Sequence, residues 1–173
     1  MKTEENKLQN IILTGMPGSG KTTAGKALSL LTGFQFTDLD NLIEENEGIK
    51  ITEIFKTKGE NYFRQKETET IKKLLNKKEI IIATGGGTVL NPENVRLLKQ
   101  TGIIFYLEAN PEIIYERIKD EKKRPLLLGE NPKNRLFELY KTRKESYENS
   151  FDIKINANGT VEDTVNKIKA SLK

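Results

Sequence analysis

The chain contains neither cysteine nor histidine. The first absence rules out disulfides, thiolate zinc sites and cysteine nucleophiles. The second leaves a carboxylate, a lysine or a tyrosine to serve as any general base. Together they restrict metal binding to oxygen ligands, which suits Mg²⁺. No apolar run approaches the length that crosses a bilayer, and the polar start, Met1 to Lys7, lacks the apolar stretch of a signal peptide. A short flexible lead-in and a cytoplasmic location are therefore expected, with no membrane partner. The net charge is +4, but Lys is interleaved with Glu and no basic stripe carries aromatics, so nucleic acid is not an expected partner either. A chain of 173 residues fits one domain, 1–173, with a sizeable core.

What is present is concentrated near the N-terminus. Gly15-Met16-Pro17-Gly18-Ser19-Gly20-Lys21-Thr22 spells G-x-x-x-x-G-K-[ST]. The apolar Ile11-Ile12-Leu13 precedes it and a helix-compatible segment, Thr23 to Leu31, follows. Strand, glycine-rich loop, helix is the context in which this motif binds phosphate. The glycines let successive N–H groups converge on one anion, and the helix N-terminus adds partial positive charge. Lys21 would reach the β- and γ-phosphates, and Thr22 would place its hydroxyl on Mg²⁺. The motif calls for a nucleoside triphosphate and leaves the acceptor open.

Further apolar runs occur at Ile80 to Ala83, Ile103 to Leu107 and Phe151 to Ile155, with a weaker one at Phe34-Gln35-Phe36. Short apolar strands alternating with helices predict a three-layer α/β fold around a parallel sheet. Between Asn41 and Lys78 the apolar residues recur at helical spacing, which predicts a helical insertion over about 41–78. Asn91-Pro92 and Asn110-Pro111 each set a capping residue before a proline and predict helix starts. The charged stretch 119–133 reads as a mobile loop, and Thr160 to Leu172 as a closing helix.

Three sets of residues are candidates for the acceptor side. Asp38 and Asp40 follow the weak second strand, and alternation in an extended chain would point both carboxylates the same way. One could serve Mg²⁺ and the other could take a hydroxyl proton; Asp40 is also a fair N-cap for a following helix. Gly85-Gly86-Gly87 would let a ligand approach the backbone closely, or could be a plain flexible turn. The chain prefers lysine, so Arg64, Arg124 and Arg143 stand out, because a guanidinium fork matches carboxylate and phosphate geometry. Arg96, Arg117 and Arg135 are uninformative on spacing alone.

Taken together, GMPGSGKT at Gly15 to Thr22, DLD at Asp38 to Asp40, FRQKE at Phe63 to Glu67, GGG at Gly85 to Gly87 and RPLL at Arg124 to Leu127 resemble the shikimate kinase family over nearly the whole chain. The resemblance implies a five-stranded parallel sheet of the P-loop NTPase, nucleoside monophosphate kinase-like type, with a lid at about 119–133 and a helical substrate-binding insertion. It implies ATP and Mg²⁺ as co-substrate and metal, shikimate as partner, and a monomer. Gly18, Ser19, Gly20, Lys21, Thr22 and Thr23 would surround the phosphates, with Thr22 and Asp38 serving the metal. Asp40 would contact the shikimate hydroxyls and act as base. Arg64 and Arg143 would hold the carboxylate beside Gly85, Gly86 and Gly87. Arg124 would meet the phosphates from the lid, and Arg117 would lie against adenine. One departure is Leu39, where the family often has Thr or Ser; its side chain is expected to point away from the ligand. No family motif is found near Asn156-Ala157-Asn158.

Overall fold

The computed structural model describes residues 10–121 and 131–172. The polar start and most of the predicted lid, Arg124 included, lie outside the described residues. Five strands form one sheet: β1 (Asn10–Thr14), β2 (Gln35–Asp38), β3 (Ile80–Ala83), β4 (Gly102–Glu108) and β5 (Ile153–Asn156). Their order is β2-β3-β1-β4-β5, and every pairing is parallel. Ile12 of the central strand lies opposite Ile82 on one side and Ile104 on the other.

Both faces of this sheet are covered. Ile11 and Leu13 point to one face, where they meet helices α1 (Lys21–Thr32) and α8 (Val161–Ser171) through Leu28, Val165 and Ile168. Ile12 points to the other and packs with α2 (Leu39–Glu47), α3 (Ile51–Thr57), α4 (Glu60–Leu74) and α5 (Pro92–Thr101). Being buried on both sides explains why the inner strands read as unbroken apolar runs. The edge strands are wetter, with no fully buried residue in β2 and two exposed residues in β5, which is why β2 was the weakest signal in the sequence. The predicted start of β5 moves inward: Phe151 stacks beside Tyr106, and Asp152 exchanges hydrogen bonds with the Ile104 backbone before pairing begins.

The two Asn-Pro signals have different outcomes. Asn91 caps α5, its side chain accepting from the Glu93 N–H at 2.9 Å. Asn110 begins α6 (Pro111–Ile118) without a side-chain cap; its own N–H donates to Asn158 Oδ1 at 2.8 Å. That bond ties the start of α6 to the segment after β5. The last long helix, α7 (Pro132–Glu148), brings Arg143 back toward the C-terminal ends of the strands, where open α/β sheets bind ligands.

Candidate active site

The phosphate loop follows β1 and ends on α1. Gly18 and Gly20 adopt φ of 84° and 97°, in the left-handed region that an L side chain resists. Gly20 also forms the N-cap of α1, so the helix opens with no side chain over its first N–H groups. Lys21 is buried, and its ammonium donates to the carbonyls of Gly15 (2.8 Å) and Met16 (2.9 Å). The charge is thus held against its own loop. Ser19 Oγ is buried with no hydrogen-bond partner among the described residues. A cleft of about 520 Å³ opens here, lined by the loop together with Asp38, Asp40, Arg117 and Thr160. Thr22 and Thr23 line it too.

Asp38 and Asp40 do reach the same cleft, though not by alternation in a strand. The chain leaves the extended state at Asp38, which is the N-cap of α2; its Oδ1 accepts from the N–H groups of Asp40 (3.1 Å) and Asn41 (3.3 Å). Asp40 therefore sits in the first turn of the helix, and capping belongs to its neighbour. Leu39 between them is fully buried in the core, pointing away as expected. The second Asp38 oxygen accepts from Thr22 Oγ1 at 2.9 Å. A hydroxyl and a carboxylate this close are oxygen donors of the kind Mg²⁺ takes, and the described residues contain no group of three or more acidic ligands. A hard cation sharing one or two protein oxygens with nucleotide phosphates fits that sparse set.

Asp40 differs from Asp38 in its surroundings. Its Oδ1 is buried and has no hydrogen-bond partner among the described residues. Burial pushes its carboxyl up from 3.8 to about 6, helped by the nearby charges of Asp38 and Glu67 and opposed by Lys21 and Arg64. A carboxylate poised this way is a competent proton acceptor near neutral pH.

The glycine triplet brings the remaining candidates together. None of the three residues has a positive φ, so backbone freedom is not what requires glycine. Space is. A methyl group on Gly85 would sit 2.6 Å from Asp40 Oδ1, one on Gly87 2.7 Å from Arg64 Nη2, and one on Gly86 3.4 Å from Arg143 Nη1. The carboxylate and both guanidinium groups thus converge on three consecutive residues. The other side of Gly86 meets the phosphate loop, with Pro17 Cγ only 2.7 Å from that same methyl position.

Reading the sequence missed what holds Arg64. Glu67 is wholly buried, and its Oε2 pairs with Arg64 Nη1 at 3.1 Å. It also accepts from Thr88 Oγ1 (2.5 Å) and Asn94 Nδ2 (3.4 Å), which connects α4 to the turn Thr88–Leu90 after the glycines and to α5. A buried carboxylate held by several donors restricts where the guanidinium can lie. The available signal was the three-residue spacing of Arg64 and Glu67 on a helix whose Phe63 and Ile71 face the core. On the far side of the cleft, Arg117 donates to the carbonyls of Ala157 and Gly159, each at 2.7 Å. The segment that carried no motif is thereby tied to Arg117, and the residues just after it, Gly159 and Thr160, line the cleft.

A phosphate loop facing one carboxylate and two guanidinium groups is the arrangement of a small-molecule kinase on the phosphate-loop fold. A profile of the family described as shikimate kinase matches residues 17–173. The shikimate kinase of Thermodesulfovibrio yellowstonii is 45% identical over 162 residues, 93% of each chain. The solved shikimate kinase from Acinetobacter baumannii, in complex with shikimate, superposes with a TM-score of 0.89 at 39% identity, covering 96% of this chain and 94% of that one. A gluconokinase from Sinorhizobium meliloti shares the fold alone, with a TM-score of 0.64 at 18% identity over 95% of this chain and 91% of its own. The chain belongs to the shikimate kinase family.

Proposed function

We propose that this chain transfers the γ-phosphoryl group of ATP to the 3-hydroxyl of shikimate, giving shikimate 3-phosphate and ADP. The observation that carries this reading is the convergence of Asp40, Arg64 and Arg143 on the glycine triplet, against the phosphate loop. Two guanidinium groups beside one buried carboxylate suit an acceptor that bears both a carboxylate and hydroxyls. Arg64 and Arg143 take the carboxylate, with Gly85, Gly86 and Gly87 giving them room, and Asp40 takes the hydroxyl that is phosphorylated.

Phosphoryl transfer passes through a loose transition state, so positioning and charge do most of the work. Gly18, Ser19, Gly20, Thr22 and Thr23 wrap the phosphates, and Lys21 neutralises charge on the transferring group. Arg124, from the predicted lid over 119–133, adds to that neutralisation. Asp40 accepts the hydroxyl proton late in the step, so a carboxyl near pH 6 is basic enough. Thr22 and Asp38 would hold Mg²⁺, which when bound supplies further neutralisation of phosphate charge. Arg117 and the segment it pins form the adenine wall. The helices between β2 and β3 act as the substrate-binding insertion within one kinase domain, and the chain works as a cytoplasmic monomer.

The test is an initial-rate measurement of ADP release with shikimate, gluconate and a nucleoside monophosphate as competing acceptors. Shikimate is expected to give the highest kcat/KM. A higher value for gluconate or the nucleotide would contradict the assignment.

A further inference from the structure

Tyr147 is completely buried in the core, yet it carries a hydroxyl there. It donates to the carbonyl of Gly86, across 61 residues of sequence. The ring is held independently: it stacks on Tyr106 of β4, with centroids 5.2 Å apart and planes within 5° of each other. Tyr147 follows Arg143 by four residues on α7, so the two side chains leave the helix on the same face, one turn apart. Arg143 lies beside the hydroxyl, and burial outweighs that charge in pushing the phenol up to about 12, so the group stays a donor at ordinary pH. Gly86, the acceptor of the bond, is bracketed by Pro17 of the phosphate loop and by Arg143.

We propose that Tyr147 is a positioning residue for the acceptor: its hydroxyl pins the Gly86 peptide to α7 and so fixes the spacing between Arg143 and the glycine triplet. A tyrosine serving only as packing would need no hydroxyl, since phenylalanine fills the same space and keeps the same stack. The bond also fastens α7 to the segment that touches the phosphate loop. It therefore sets where the acceptor carboxylate lies relative to the phosphoryl group. The proposal rests on the reading that Arg143 binds that carboxylate.

The experiment compares the wild type with Tyr147→Phe, Arg143→Ala and the double variant, in steady-state assays with ATP and shikimate run well below each melting midpoint. Phenylalanine keeps the stack and removes only the hydroxyl. In Tyr147→Phe the KM for shikimate is expected to rise about five- to tenfold, as loss of one hydrogen bond implies. The KM for ATP should stay within about twofold and kcat should fall less than the shikimate KM rises. On the Arg143→Ala background the same change should alter the shikimate KM by less than about twofold, because the two residues act as one unit. An unmoved shikimate KM, an equal rise in both KM values, or the full factor persisting without Arg143 would each overturn the role. A wild type that releases no ADP in response to shikimate would instead overturn the acceptor assignment, which keeps the two failures apart.

Discussion

The two halves of the candidate active site are built in opposite ways. The phosphate loop is a single stretch, Gly15 to Thr22, whose shape comes from left-handed glycines and whose lysine is held by carbonyls of its own loop. The acceptor half has no such stretch. Asp40 comes from α2, Arg64 from α4, the glycines from the end of β3 and Arg143 from α7, so the site exists only where these elements pack together. A contiguous site depends on backbone conformation, so it survives changes in distant packing. A composite site depends on the packing of four elements and can be retuned one partner at a time. Damage to the first half should therefore appear in every reaction of the nucleotide, and damage to the second in the acceptor alone.

The largest effect should come from the contiguous half. Lys21→Ala is expected to lower kcat by about 10³, in line with removal of a group that stabilises transferring charge. Residual hydrolysis of ATP by water should fall with it, since both routes use the same ammonium. If hydrolysis survived while transfer to shikimate was lost, Lys21 would belong to the acceptor side and the division would fail.

Asp40→Asn comes next, with kcat lower by about 10²–10³ as expected for loss of a general base. Its stability should move the other way. The folded chain holds the Asp40 proton more tightly than the unfolded chain, since burial raises this carboxyl from 3.8 to about 6. Stability is thus fully present below the lower value and declines as pH rises through that window. Asparagine removes the decline, so at pH 7.5 the variant should melt on the order of 3 °C higher than the wild type, with the gain absent near pH 3.5. The wild-type kcat/KM for shikimate should show an acid limb near pH 6 that the variant lacks.

Two glycine substitutions give smaller effects of opposite character. Gly87→Ala meets the Arg64 guanidinium at 2.7 Å on an ordinary backbone with φ −109°, so its effect should fall on the acceptor: shikimate KM up about tenfold, ATP KM within about twofold. Gly33→Ala has open space around it but φ of 76° at the end of α1. It should reduce stability by about 1 kcal/mol and leave both KM values in place, as thermal melts and rate assays can show.

The same contrast accounts for what could be read from the residues. The phosphate loop, the inner strands and the starts of α1, α5, α6 and α8 were readable because each is specified locally, by glycine placement, an apolar run or a capping residue. β2 was faint because an edge strand half open to water carries little apolar pattern. The geometry of Asp38-Leu39-Asp40 was misjudged for a related reason. A helix start at Leu39 depends on Asp38 accepting two N–H groups, and a strand pattern running into it hides the switch. Asp40 and the arginines could be picked out as chemically apt, but their meeting at the triplet follows from strand order and helix packing. Glu67 and Tyr147 were invisible as partners because their counterparts, Thr88 and Gly86, are 21 and 61 residues away.

This division predicts an acceptor half that binds its ligand independently of the phosphate loop. It is tested most directly by calorimetric titration of Arg64→Ala with shikimate and, separately, with ATP. Shikimate affinity should fall by at least about tenfold, the loss expected when a paired guanidinium is removed, while ATP affinity stays within about twofold. An equal loss of both affinities, or shikimate binding left unchanged, would contradict the account.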